Sequence, residues 1–188
     1  MLESVGIESY FHKEAGMYID YHHKLMTVQS DKEDALTGVM SQSYFEHRMQ
    51  IIDRSEVVPV AAIVVNINDW KVANDNFGDE ESDRLIATIA DIVKENAKPE
   101  YIVGRVDGDV FNIIIPMPED NEAEEYCKAV QSACDAFEDE HLVPSVACGV
   151  AYKTNVESTM ENVFSDAEVE MLENKISIKS SEEYCNRL

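Results

Sequence analysis

Basic residues are scarce in this chain. Fifteen Lys and Arg stand against 38 Asp and Glu, which gives a net charge of −23. A surface that acidic repels a phosphate backbone and argues against nucleic acid as a partner. Cysteine is sparse too. Cys127, Cys134, Cys148 and Cys185 form no CxxC pair, so reduced thiols in a cytoplasmic protein are expected. Cys127 and Cys134 are seven apart, which puts them on one face of a helix rather than in a metal site. Seven Gly and five Pro in 188 residues exclude a low-complexity chain. Long apolar runs are missing as well. The longest, VVPVAAIVV from Val57 to Val65, is too short to span a bilayer. The N-terminal stretch MLESVGIESYFHKEAG has no basic patch followed by an apolar segment, so no signal peptide is expected.

What is present is a hydrophobic fraction of 45%, enough for a folded core. A leader helix is expected from Glu8 to about Ser30, because Phe11, Tyr18, Tyr21 and Leu25 recur at helical steps. The pattern breaks at Asp31-Lys-Glu-Asp34, which separates a leader, residues 1–33, from a main domain, residues 34–188. Ser41 is a candidate N-cap for a helix running to about Ile52. Val57 to Ile67 reads as a buried strand, being continuous and β-branched. Asn68 to Asp83 reads as a polar loop with one helical turn, leading into a helix whose face is Leu85, Ile86, Ile89 and Ile92.

Tyr101–Val106 and Val110–Pro116 are expected to form a hairpin around Asp107-Gly108-Asp109, with Gly108 supplying a positive φ. An acidic helix over NEAEEYCKAVQSACDAFEDEH, a strand over VPSVACGVAYK and a helix over STMENVFSDAEVEMLENK follow, with a short strand expected at Ile176–Ile178. Helices alternating with one long strand and a hairpin imply an α/β (α+β) sandwich with a central, mostly antiparallel sheet. If the long strand lies beside the hairpin, Asn66 and Asp109 come together. Polar groups at a strand end and a neighbouring turn make a divalent-metal platform where they are carboxylates.

Four ordered motifs resemble the GGDEF, or diguanylate cyclase, family. The opening string D-x-L-T-G-L-x-N-R-R-x-F is matched by DALTGVMSQSYF. The loop string D-x-D-x-F-K-x-I-N-D-x-x-G-H-x-x-G-D is matched by NINDWKVANDNFGDEESD. The signature GGDEF is matched by DGDVF, and a serine-isoleucine-glycine strand by VACGVAY. The resemblance covers Asp34 to about Lys179 and implies a palm-like nucleotidyl-cyclase fold. It also implies Mg²⁺ as cofactor, and a reaction in which the 3′-hydroxyl of one GTP attacks the α-phosphate of another across a dimer, giving cyclic di-GMP.

Carried over by position, the metal ligands fall on Asn66, Ile67 (through its carbonyl) and Asp109, and the catalytic glutamate on Val110. The phosphate-facing lysine falls on Lys71, the guanine-reading pair on Asn74 and Asp83, and the signature glycines on Asp107 and Gly108. A phosphate-holding lysine of the last helix falls on Glu173, and the arginine and aspartate of an inhibitory product site fall on Lys98 and Tyr101, so that site is expected to be absent.

The departures oppose a bound metal triphosphate. Asn66 offers a neutral oxygen, Val110 offers none, Asp107 adds a charge where glycine admits a phosphate, and Glu173 reverses a sign. Asp69, Asp107 and Asp109 converging on a rearranged metal site is the exception. Two functions stay open: a silent signalling module that pairs with another GGDEF chain, a phosphodiesterase domain or a sensor joined to the leader, or an active cyclase. A third, a nucleotidyl transferase with another base, is opposed by Asn74 and Asp83. Asp107-Gly108-Asp109 as a plain turn, and Asp83 as a helix first-turn acid, are the plain structural alternatives.

Overall fold

The computed structural model describes residues 32–139, 142–181 and 184. The expected leader helix and Cys185 lie outside them. The elements run α1 (Gln42–Arg54), β1 (Val60–Ile67), α2 (Trp70–Phe77), α3 (Asp79–Glu95), β2 (Ile102–Asp107), β3 (Val110–Pro116), α4 (Glu122–Asp135), β4 (Val146–Lys153) and α5 (Met160–Lys179). The four strands form one sheet in the order β2-β3-β1-β4, with every neighbouring pair antiparallel. This is the sandwich expected from the sequence.

The unbroken apolar run of β1 is explained by its place. It is central in the sheet, and all eight of its residues are buried. Ile63, Val65 and Ile67 look towards α3 and α4, where Ile86, Ile89, Val93, Tyr126 and Val130 cover them. Ala62 and Val64 look the other way, towards Phe45 of α1 and Met160, Phe164 and Met171 of α5. Asn66 follows Val64 on that second face by the two-residue alternation of a strand. Cys127 and Cys134 both lie in the first core layer, as their spacing implied. Ser41 caps α1, its hydroxyl accepting from the Tyr44 N–H.

Two stretches differ from the sequence reading. The polar segment after β1 is helical rather than looped. α2 opens behind Asp69, in a left-handed conformation with φ 53°, and Gly78 with φ 83° separates it from α3. Its helical nature escaped detection because α2 is only two turns long and buries no residue fully. Ile176–Ile178, expected as a strand, continues α5 to Lys179. α5 crosses β4 so closely that a Cβ on Gly149 would collide with the backbone of Ala167 and Met171.

Candidate functional site

At the end of β1, Asn66 is paired with Val110 of β3, and the Ile67 N–H donates to the Asp109 carbonyl at 2.9 Å. The strand end and the hairpin therefore meet as expected. Asn66 is 7% exposed. Its Nδ2 donates to Asp109 Oδ2 at 3.1 Å, and its Oδ1 accepts from the Lys175 ammonium. A cation, an amide and a carboxylate thus form one chain of hydrogen bonds. An aspartate at position 66 would face Asp109 as a second anion and call for a cation between them. The amide instead fills that gap with its own N–H.

Lys175 corrects the assignment made on Glu173. The sequence placed the lysine of the last helix two residues too early, and two residues turn a side chain roughly halfway round a helix. Glu173 is exposed to solvent, whereas Lys175 and Lys179, one turn apart, reach the site. The sign reversal inferred at Glu173 therefore does not apply. Burial and the neighbouring Lys179 push the Lys175 ammonium below the usual lysine range, against the pull of Asp109 and Asp69.

Asp69, at the β1–α2 junction, accepts from Lys179 Nζ at 2.5 Å and from the Tyr184 hydroxyl. Partial burial raises its carboxyl, but the bonds from Lys179 and Tyr184 outweigh that and hold it below the usual aspartate range. Asp69, Asp107 and Asp109 do not converge. Among the described residues no three acids, histidines or cysteines form a metal-holding group. Asp107 is exposed and turns its carboxylate back on the Gly108 N–H at 2.7 Å.

The other end of the site lies on α2 and α3. The Trp70 indole N–H donates to Ser82 Oγ at 3.2 Å, and a Cβ added to Gly108 would sit 4.0 Å from its ring, so the indole spans from hairpin to α3. One turn along α2, Asn74 is half-buried, while Asp83 and Lys71 are exposed. None of the side-chain hydrogen bonds among the described residues involves Asn74 or Asp83, so both keep their full capacity towards a ligand.

The hairpin itself is built differently from the expectation. Gly108 does not adopt positive φ; Gly38 and Gly78 are the described glycines that do. The tip is held by Arg105, beside a register shift in β2. Its Nε and Nη2 donate to the Gly108 carbonyl at 3.1 and 2.8 Å, and its Nη1 donates to Asp34 at 3.1 Å. Asp34 also takes the Thr37 N–H and hydroxyl at 3.0 and 2.6 Å, which gives the DALTG string a structural purpose. Burial raises the Asp34 carboxyl, yet Thr37 and Arg105 bring it below the usual range.

Lys98 and Tyr101 both bond Glu122, at 2.5 and 2.8 Å, and Glu100 and Glu119 are close enough to add their charge. Arg105, Lys175, Lys179 and Tyr184 had no signal in the motif alignment. The only available hint was the spacing of two lysines one helical turn apart.

The central strand and the neighbouring hairpin thus end in a polar pair beside the start of a helix. The chain belongs to the GGDEF family: the family profile described as diguanylate cyclase, GGDEF domain, matches residues 32–180. It is similar to the probable diguanylate cyclase DgcT of Escherichia coli K12, 19% identical over 156 residues, which are 82% of this chain and 34% of DgcT. The chain therefore spans about a third of that relative.

Among solved structures it resembles the coiled coil and GGDEF domain of DgcB from Caulobacter crescentus in complex with c-di-GMP. There the TM-score is 0.79 at 17% identity, covering 91% of this chain and 95% of that one. It also resembles the diguanylate cyclase SiaD of Pseudomonas aeruginosa in complex with its activator SiaC, with TM-score 0.72 at 18% identity over 93% and 74% of the two chains. These likenesses establish the fold. No helix among the described residues is long and apolar enough to cross a membrane.

Proposed function

We propose that residues 34–188 are a catalytically silent GGDEF module in cyclic di-GMP-type signalling, with residues 1–33 as its signalling helix. The module acts by recognising a guanine nucleotide weakly, a protein partner or a second copy of itself, and it does so without turnover in the cytoplasm. The observation that carries this reading is the Asn66 amide bonded at once to Asp109 and Lys175.

Mg²⁺ demands near-ideal octahedral oxygen ligation. Here one of the two expected carboxylates is an amide, its oxygen is taken by an ammonium, and its N–H points at the remaining acid. The residues do not fit the ion. Val110, in the position of the catalytic glutamate, has no group to accept or polarise a proton. The inhibitory product site is likewise spent, since Lys98 and Tyr101 are tied to Glu122 amid further glutamates.

Nucleotide recognition is supported by different atoms. Asn74 and Asp83 present an amide and a carboxylate, the groups that discriminate a guanine edge. Lys175 and Lys179 lie on the side where a polyphosphate would extend. These features also favour the second reading, an active cyclase, more than anything at Asn66 does.

The test is incubation with GTP and Mg²⁺ or Mn²⁺ in search of cyclic product, together with calorimetry of a non-hydrolysable GTP analogue. No product and weak analogue binding are expected; product above background overturns the proposal. The triple change Asn66→Asp, Asp107→Gly and Val110→Glu is expected to raise metal-dependent GTP affinity by at least about tenfold, or ~1.4 kcal/mol. Unchanged affinity would mean that the nucleotide pocket itself is not inherited.

A further inference from the structure

α2 also borders a cavity of about 300 Å³ between itself, α3 and the segment before β4. Its walls are mainly apolar, from Val72, Phe77, Leu85, Leu142 and Val143. Three of these are large apolar side chains left in solvent: Val72 at 49%, Phe77 at 64% and Val143 at 58% exposed. Exposed apolar groups gathered around a concavity, rather than scattered, mark a binding site.

A polar group on the wall sharpens the chemistry. Asn68 is 5% exposed, and its Nδ2 donates to Ser145 Oγ at 2.9 Å, but its buried Oδ1 has no partner among the described residues. An unsatisfied buried acceptor carries a free-energy penalty that a ligand donor removes. The charged groups lining the cavity are Asp69 and Glu81, each already paired, with Lys179 and Arg84 respectively; among the described residues no lysine or arginine lines it. The first turn of α3 adds Asp79 and Glu80 nearby.

From these observations we propose that this cavity binds a compact aromatic amine. The ring lies against Val72, Phe77 and Val143. The ammonium donates to Asn68 Oδ1. An anion of the same size binds less well, since its carboxylate sets an acceptor where the ammonium would set a donor against Asn68 Oδ1. Neither Asn74 nor Asp83 lines this site, and it does not depend on whether the chain turns over GTP.

The experiment titrates the full chain with three ligands sharing one ring system: tryptamine (cationic), indole (neutral, one N–H) and indole-3-acetate (anionic). Binding is followed by amide NMR shifts. Tryptamine is expected to shift the amides of Asn68, Val72 and Val143 and to bind at least about tenfold tighter than indole-3-acetate, with indole between. Asn68→Ala is expected to weaken tryptamine about tenfold. Asn68 also bonds Ser145, so Phe77→Ser, at an exposed position, is the second variant; it is expected to weaken tryptamine and indole together while the chain stays folded. Equal binding of the three ligands overturns the proposal. So does the absence of shifts at millimolar ligand, or shifts confined to the separate cavity around Met49 and Leu172.

Discussion

The two ends of the candidate site are opposites. At the α2–α3 end, Asn74 and Asp83 make no side-chain bonds to other described residues. At the β1–hairpin end, Asn66, Asp109 and Lys175 satisfy one another, and Asp69, Lys179 and Tyr184 do the same a turn away. A polar group without an internal partner loses little when a ligand arrives. A polar group already paired must give up its partner first. The motif string treats both ends alike, since each contributes recognisable letters, but only the first is prepared for something from outside.

The largest expected effect breaks this contrast through stability. Asn66→Ala strands the partly buried Lys175 and Asp109 and is expected to cost about 2–3 kcal/mol in urea unfolding. Asn74→Ala is expected to cost less than about 0.5 kcal/mol. Equal losses would erase the distinction between the two ends. Next comes ligand binding. Asp83→Ala is expected to weaken a GTP analogue by about tenfold in calorimetry, because a base edge loses a hydrogen-bonded carboxylate.

A smaller effect is expected at Asp69. Asp69→Asn releases Lys179 towards phosphate and should tighten the analogue by roughly threefold, a gain that shrinks in high salt because that lysine is 39% exposed.

The smallest concerns pH. Asp34 and Asp69 both have carboxyls held below the ordinary 3.8. A depressed carboxylate stabilises the fold above its unfolded pKa and loses that contribution as pH falls through its folded value. Stability should therefore decline below about pH 4, with Asp69 supplying no more than ~1 kcal/mol since its lysine partner is solvated. The acid limb of the urea midpoint should be shallower in Asp69→Asn than in the parent chain.

Much of this molecule was legible in its residues. The continuous run of β1, the apolar faces of α3 and α4 and the acidic hairpin announced the sheet and its layers. The approach of Asn66 to Asp109 followed from placing two strands side by side. What escaped was governed by other forces. α2 is short and packs only through partly buried Trp70 and Ala73, so its helicity was hidden in a polar string. Ile176-Ser177-Ile178 alternates like a strand, yet it simply continues the turns of α5. Lys175 was missed because an alignment on an amphipathic surface can slip by two residues without changing composition, while it reverses the face presented. Tyr184 has no local pattern at all; its partner Asp69 is 115 positions away.

Arg105 has a mechanical consequence. Its guanidinium grips the Gly108 carbonyl twice and Asp34 once, so the first turn of the domain and the crown of the hairpin are yoked together without passing through the sheet. A tug or twist delivered to the chain ahead of Asp34 is therefore transmitted to the crown over the length of a single side chain. Cutting that yoke with Arg105→Met is expected to leave the strands in register and loosen the crown, while the entrance stays joined to β2 through the Met40 backbone.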